Sequence, residues 1–228
     1  MSSVKTPMRS RKQQAALTRR KMLTAAYDLF CKQGFRATTM EAIATRAGVA
    51  VQTIYFTFHT KDALLQEVHD WTVLGDDPTP PPQQDWYQGV VAEPDPQKAT
   101  EALVEGTSTI LARVAPMMPV FHAVTGDDAG QVFRHAERLR RDGYHLLAKA
   151  MLAKGGSTPQ LSPERASDLL FVLLGPEIYR SFVHELQWTQ DEWAGWTVTA
   201  LMRDLFAPQT VSAPHTPDSH QEDRLAGP

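Results

Sequence analysis

Cysteine is almost absent from this chain. Cys31 stands alone among 228 residues, which excludes an internal disulfide framework and suits a reducing compartment. Long apolar runs are missing as well. The longest, Leu169 to Leu174, falls far short of the ~20 residues that a membrane-spanning helix needs, so no membrane partner is expected. The first twenty residues are basic and polar with no apolar h-region, so no secretory signal is expected and the predicted location is the cytoplasm. Sheet signals are equally scarce, because no alternating segment bounded by turn residues stands out. The eight histidines show no His/Cys/Asp spacing of a metal site. There is no Gly-rich phosphate loop, no G-x-S-x-G and no H-E-x-x-H. No metal, no cofactor and no catalytic residue is predicted.

Charge is unevenly placed. Residues 1–70 hold eleven Lys/Arg against five Asp/Glu, a net +6, which leaves −9 for the rest of a chain whose total is −3. A basic head on an acidic body implies that only the head meets a polyanion. Hydrophobic residues make up 42%, enough to build a core under such a surface.

The patterning is helical throughout. Residues 1–14 are polar and basic without apolar period and read as a disordered arm. From Ala15 a helix begins, with Leu23, Ala26, Tyr27 and Phe30 at i, i+3, i+4, i+7, and Gly34 is expected to stop it. Cys31 lies off that stripe, which predicts an exposed thiol. Thr38-Thr39-Met40-Glu41 has the capping-box form, with Thr38 as the cap. Met40, Ile43, Ala44 and Ala47 then give a two-turn apolar face, closed by Gly48. A second short helix, about Val51 to Phe58, places Ile54 and Phe58 on one side. Thr60 caps a fourth helix with Leu64, Val68 and Trp71 at helical spacing. Two short helices around a tight Gly turn, pinned by a longer helix on each side, form a helix-turn-helix layout.

Gly75, Pro78, Pro80, Pro81, Pro82, Pro94 and Pro96 then break the pattern. This stretch is not expected to be helical and reads as an ordered loop in which Trp86 and Tyr87 pack on something. Helices of roughly 96–113, 117–125, 128–154, 162–186 and 190–206 follow. Asp95-Pro96, Ser162-Pro163-Glu164 and Thr189-Gln190-Asp191-Glu192 mark three of the starts, and Gly175-Pro176 is expected to kink the fourth of these helices. The predicted boundaries are a basic disordered arm 1–14, a helix-turn-helix domain 15–74, a Pro-rich loop 75–95, a helical domain 96–207 and a disordered tail 208–228.

Residues Ala25 to Val68 closely resemble the DNA-binding domain of the TetR family of transcriptional regulators. The matching words are Ala25-Ala26, Leu29-Phe30, Gly34-Phe35, Thr38-Thr39, Ile43-Ala44 and Ala47-Gly48-Val49, then Thr53-Ile54-Tyr55, Phe58, Lys61 and Leu64-Leu65. The match is ordered and gap-free across the turn and covers about a fifth of the chain. It implies an all-α fold: an N-terminal three-helix DNA-binding domain followed by a C-terminal helical domain for ligand binding and dimerisation. The second short helix would enter the major groove of double-stranded DNA with Val51, Gln52 and Phe56 at base edges. Gln52 pairs with adenine, and Val51 or Phe56 contacts a thymine methyl. Thr39, Tyr55, Thr57 and Lys61 match positions that touch phosphates, which set register rather than sequence. Arg9, Arg11 and Lys12 would follow the duplex from the arm. Many relatives carry Ser and Gly where this chain has Ala50 and Gln52, so the operator sequence cannot be borrowed.

In such proteins the last two long helices form the dimer interface, here 162–186 and 190–206. Leu169, Leu170, Val172, Leu173, Tyr179, Phe182 and Val183 in the first, with Trp193, Trp196, Val198, Leu201, Met202 and Leu205 in the second, exceed one buried stripe and fit a four-helix contact across a two-fold axis. Met117, Met118, Phe121, His122, Phe133, Tyr144 and His145 sketch a pocket for a small apolar or aromatic effector. The expected function is a homodimeric repressor, located at the nucleoid and released from a palindromic operator by that effector. The alternatives are a DNA-binding activator or architectural protein that senses no ligand and, well behind it, an enzyme.

Overall fold

A computed structural model describes residues 10–75, 79–124 and 128–206, with the side chains of 128–132 excepted. Arg9 and the segment 208–228 therefore lie outside the described residues. Every regular element among those described is helical. The first helix, α1, spans Arg11–Ala37 and starts earlier than expected. Ser10 accepts from the Gln13 backbone N–H while the Gln13 side chain returns to Ser10 N, a full capping box. Arg11 and Lys12 consequently belong to an exposed helical turn rather than to a disordered arm, because the cap fixes the helix start even where the apolar period has not yet begun. Gly34 leaves helical geometry (φ 80°, ψ 167°), yet the chain makes one more turn to Ala37.

The helix α2, Met40–Ala47, is capped by Thr39, whose hydroxyl accepts from Ala42 N. Thr38 was the expected cap; its hydroxyl instead donates back to Gly34 O at 2.8 Å, closing the kinked end of α1. Gly48 then takes left-handed geometry (φ 67°), and α3 runs from Val51 to Phe58. α4, Lys61–Leu74, begins at a Thr60 cap. Met22, Phe30, Met40, Ile43, Ile54, Phe58, Leu64, Leu65 and Val68 meet in one core, so the apolar stripes of α1–α4 converge as their spacing predicts.

The Pro-rich stretch is not all loop. A 3-10 turn at Pro81–Gln83 leads into α5, Asp85–Ala92. The prolines cluster on either side of residues 83–93, leaving them free to hydrogen-bond helically. Tyr87 and Val90 bury one face of α5 on α6 (Pro96–Val114). Trp86 lies across Gly106 so closely that a Cβ there would sit 2.3 Å from the indole.

A 3-10 turn joins α6 to α7, Met118–Ala123, and α8 covers Asp128–Leu152. The expected single helix 162–186 is divided into α9 (Pro163–Leu173), α10 (Pro176–Arg180) and a π-helical turn (Ser181–Glu185). Gly175 is extended (φ −87°, ψ 144°) in front of Pro176, so the Gly-Pro pair breaks the helix outright where a kink was expected. α11, Gln190–Leu205, opens with the Thr189–Glu192 capping box. None of the described helices is long and apolar enough to cross a membrane.

Two hydrophobic cores result, and the first crosses the chain's midline. Val114, Met117, Met118, Val120, Phe121 and Val124 pack into the same core as the helices α1–α4. Leu103, Leu147, Met151, Leu170, Tyr179, Trp193 and Leu201 build the second. Hydrogen bonds reinforce the junction. Arg113 Nε donates to Thr72 O at 2.8 Å and Arg113 Nη2 to Val73 O at 3.3 Å, while Tyr27 OH donates to Arg113 O at 3.1 Å.

Candidate nucleic-acid interface

In α3 the residues divide by face. Ile54 and Phe58 are buried, while Val51, Gln52, Tyr55 and Phe56 look outward. Positions 51 and 55, and 52 and 56, are one turn apart, so these four side chains form one contiguous patch. Phe56 is 84% exposed and Val51 37%, apolar surface left in water on this face of α3. Ala50 supplies no side-chain cap to α3, as its identity requires.

Thr39, Tyr55 and Lys61 come together around the α1–α2 turn. Tyr55 OH donates to Glu41 Oε1 at 3.2 Å, bringing the middle of α3 against the first turn of α2. Hydrogen bonds to its own backbone and to Thr39 and Tyr55 lower the Glu41 pKa, and loss of water with that carboxylate nearby raises the Tyr55 pKa. Lys61 Nζ donates to Phe35 O and Thr38 O, each at 2.8 Å, and sits 4.3 Å from the centre of the Phe35 ring. Thr57 Oγ1 donates to Thr53 O at 2.7 Å. Three of the four phosphate candidates thus already donate within the chain. The Thr39 hydroxyl accepts from Ala42 N and also interacts with the Glu41 carboxylate. Arg11 and Lys12 lie two turns of α1 before Arg19, which rests 4.9 Å from the centre of the Phe58 ring and pairs with Glu67.

Cys31 is not the exposed thiol that its position suggested. It is half-buried beside Met117, with the sulfurs 3.5 Å apart, and burial pushes its pKa up to about 11.

In the second half, a cleft of about 410 Å³ opens between α7, α8 and the α9–α10 break. Met118, His122 and Phe133 line it; Met117, Phe121, Tyr144 and His145 do not. Met117 and Phe121 are buried in the first core. Tyr144 is buried in the second, its OH donating to Leu174 O at 3.0 Å and its pKa raised by burial to about 12. The composition of the middle helices pointed to the region but not to which face opens. Glu137, Arg140, Phe171, Gly175, Pro176, Glu177 and Ile178 also line it and were missed, as was the part in it of Val172, which was expected at the dimer face; the helix break beside them is a tertiary feature. Arg140 is spent within the wall: it forks onto Glu137 and donates to Phe171 O, with the Phe171 ring centre 3.6 Å away. His122 Nε2 meets Glu177 Oε1 at 2.8 Å across the mouth.

The expected dimer helices carry both kinds of apolar residue. Leu170, Tyr179, Trp193, Leu201 and Leu205 complete the chain's own second core. Val172, Trp196 and Leu186 stay exposed, and the Phe182 ring centre lies 4.7 Å from Trp188, edge-on, and 4.7 Å from Trp196, tilted.

Residues 22–68 match the family described as bacterial regulatory proteins, tetR family. Among solved structures, NalD, the secondary repressor of the MexAB-OprM multidrug efflux pump in Pseudomonas aeruginosa, is similar with a TM-score of 0.63 and 20% identity over 85% of this chain and 98% of that one. FadR from Bacillus subtilis, a transcriptional regulator in complex with stearoyl-CoA, reaches 0.63 at 13% identity over 80% and 96%. The fatty acid degradation regulator FadR from Bacillus halodurans reaches 0.65 at 16% over 80% and 97%. At such identities the likeness is one of fold. No curated protein sequence matches the chain.

Proposed function

Through residues 22–68 this chain belongs to the TetR family of bacterial regulatory proteins, and from that premise we propose that it is a homodimeric repressor released from a palindromic operator by a small apolar or aromatic effector. One observation carries the reading: the outward face of α3 presents Val51, Gln52 and Phe56 to solvent, with Thr39, Tyr55, Thr57 and Lys61 beside it. A helix offered this way fits the major groove, where base edges are distinguishable, while the flanking hydroxyls and ammonium fix register on phosphates. On binding, Tyr55 and Thr57 exchange their internal acceptors for phosphate oxygens, and Lys61 Nζ, with two of its three protons on Phe35 O and Thr38 O, has one left to give.

The exposed Leu186 and Trp196 and the Phe182 ring cluster support a two-fold contact through the last helices, since scattered surface apolar residues are ordinary but clustered ones mark interfaces. A cleft of about 410 Å³ walled by Met118, Phe133 and Phe171 lies within the size range of small-molecule sites. An effector that prefers the off-operator spacing of the two heads shifts the population away from DNA.

The test is a gel shift of the purified chain on the intergenic DNA upstream of its own gene. Retarded bands whose affinity falls steeply with salt are expected, and no shift on any upstream fragment would overturn the reading. Sedimentation at micromolar concentration checks the dimer, which a monomer would refute.

A further inference from the structure

Resting on the DNA-binding reading, we propose that α3 reads an A·T-rich half-site through thymine methyl groups, with Gln52 on a single adenine and no major-groove contact to guanine from this helix. The chemistry of the outward face is the argument. Guanine offers two acceptors, N7 and O6, and is read by the forked or multiple donors of Arg or Lys; cytosine offers a donor and is read by Asp or Glu. The helix Val51–Phe58, Val-Gln-Thr-Ile-Tyr-Phe-Thr-Phe, contains none of these four residue types. The cations around it are already tied to the protein: Lys61 to two backbone carbonyls, Arg46 to Asp28, and Arg19 to Glu67.

What the face does offer is apolar. Phe56 has 84% of its surface in water and Val51 37%, and the thymine C5-methyl is the one apolar group that a base edge presents in the major groove. Closing Phe56 and the exposed part of Val51 onto methyls removes water from apolar surface that the free chain leaves uncovered. Gln52 is the outward side chain with an amide, able to give and take one bond each with adenine N7 and N6. On the DNA-binding reading the hydroxyls of Tyr55 and Thr57 go to phosphate oxygens, which set register and not sequence.

The experiment uses the full chain and a random-sequence duplex library. Duplexes enriched by binding are resynthesised with each thymine replaced singly by deoxyuridine, which removes only the methyl. A second series replaces each guanine by 7-deazaguanine, which removes the N7 acceptor from the major groove. We expect two or more thymines per half-site at which deoxyuridine weakens binding about three- to fivefold, the ratio that corresponds to one buried methyl. The 7-deazaguanine series should stay within twofold throughout. Phe56→Ala, at an exposed position that leaves the core intact, should abolish the deoxyuridine effect at one of those thymines and leave the others. Half-sites indifferent to deoxyuridine, or weakened more by 7-deazaguanine, would overturn the proposal while leaving the DNA-binding reading in place. Failure to enrich any duplex would instead reject that reading and the proposal with it.

Discussion

Replacing Arg113 by Met removes the guanidinium that α6 lends to the end of α4 while keeping an unbranched aliphatic side chain in its place. Two donors are lost, from Nε to Thr72 O at 2.8 Å and from Nη2 to Val73 O at 3.3 Å. Both acceptors are terminal carbonyls that a helix cannot satisfy internally. A hydrogen bond from a charged donor contributes roughly 1.5–3 kcal/mol, and a cation at a helix C-terminus adds about 0.3–1 kcal/mol. The second bond is long and the site is only half-buried, so the contributions do not simply add. We expect Arg113→Met to destabilise the chain by about 2–3 kcal/mol, against ~0.5 kcal/mol for an unremarkable surface change. For a chain of this size that lowers Tm by roughly 4–12 °C at ~2–4 °C per kcal/mol. Urea denaturation followed by tryptophan fluorescence reads the change in free energy, and Trp71 in α4 lies close to the lesion. Arg113→Lys should recover only part of the loss, since one ammonium does not span both carbonyls as the fork does. The same Met variant should bind DNA more weakly although residue 113 is far from α3, because the seating of α4 on α6 sets the head's position. A stability within ~0.5 kcal/mol of the parent chain, with unchanged DNA affinity, would refute the view that this contact joins the two halves.

Gly106→Ala gains about 1 kcal/mol of helix propensity but drives a Cβ to 2.3 Å from the Trp86 indole, and overpacking of this kind costs ~1–3 kcal/mol. A net loss is expected in thermal denaturation, and a stabilised variant would show that Trp86 does not rest there. Lys61→Ala should weaken binding to all DNA sequences alike and also destabilise the head, because Phe35 O and Thr38 O lose their donor. Gln52→Ala should mainly relax discrimination, and competition binding with specific and nonspecific duplexes separates the two; the reverse pattern would refute both roles. Cys31, with its pKa raised from 9.0 to about 11, should resist iodoacetamide at pH 8 in the native chain and react readily in urea. The raised pKa favours the folded state fully below pH 9.0, and that contribution is lost as the pH rises through 9 to 11. Rapid native alkylation at pH 8 would contradict the burial.

Much of this architecture was readable because helix signals are local. The stripes Leu23–Phe30 and Met40–Ala47, the Gly48 turn and the caps at Thr60, Asp95, Ser162 and Thr189 each rest on neighbours within four residues, and the structure has them in place. The errors arose where two local signals competed. Thr38 and Thr39 are both competent caps, and the choice fell to Thr39 because Gly34 turned Thr38 back onto its own carbonyl. Proline counting obscured α5, although residues 83–93 are free of proline and Trp86, Tyr87 and Val90 supply an apolar side. The cleft was legible only in part. Met118, His122 and Phe133 line it, but which faces of α7 and α8 stand open depends on where α9 breaks against them.

The placement of α7 gives the proposed switch its mechanical basis. Its Met118 and Phe121 belong to the core that holds α1 and α4, while Met118 and His122 also line the cleft. From the cleft wall a continuous set of ring contacts leads into the head: Phe133 stacks on Phe121 at 5.5 Å, and Phe121 meets the buried His69 of α4 edge-on at 5.3 Å. Close-packed interiors have few voids to absorb displacement. A guest that pushes Phe133 or Met118 therefore has to move Phe121, and with it α4, rather than be accommodated silently. α4 is clamped at its start by Thr60 and Lys61 beside the DNA-facing surface, and at its end by Arg113. A small tilt of α4 between those clamps displaces α3 in both protomers of the proposed dimer, in opposite directions across the two-fold axis. The spacing of the two recognition helices must match successive major grooves, about 34 Å apart, so even a tilt that leaves each head's fold intact is enough to lower affinity. On this account the proposed ligand response passes through the shared core.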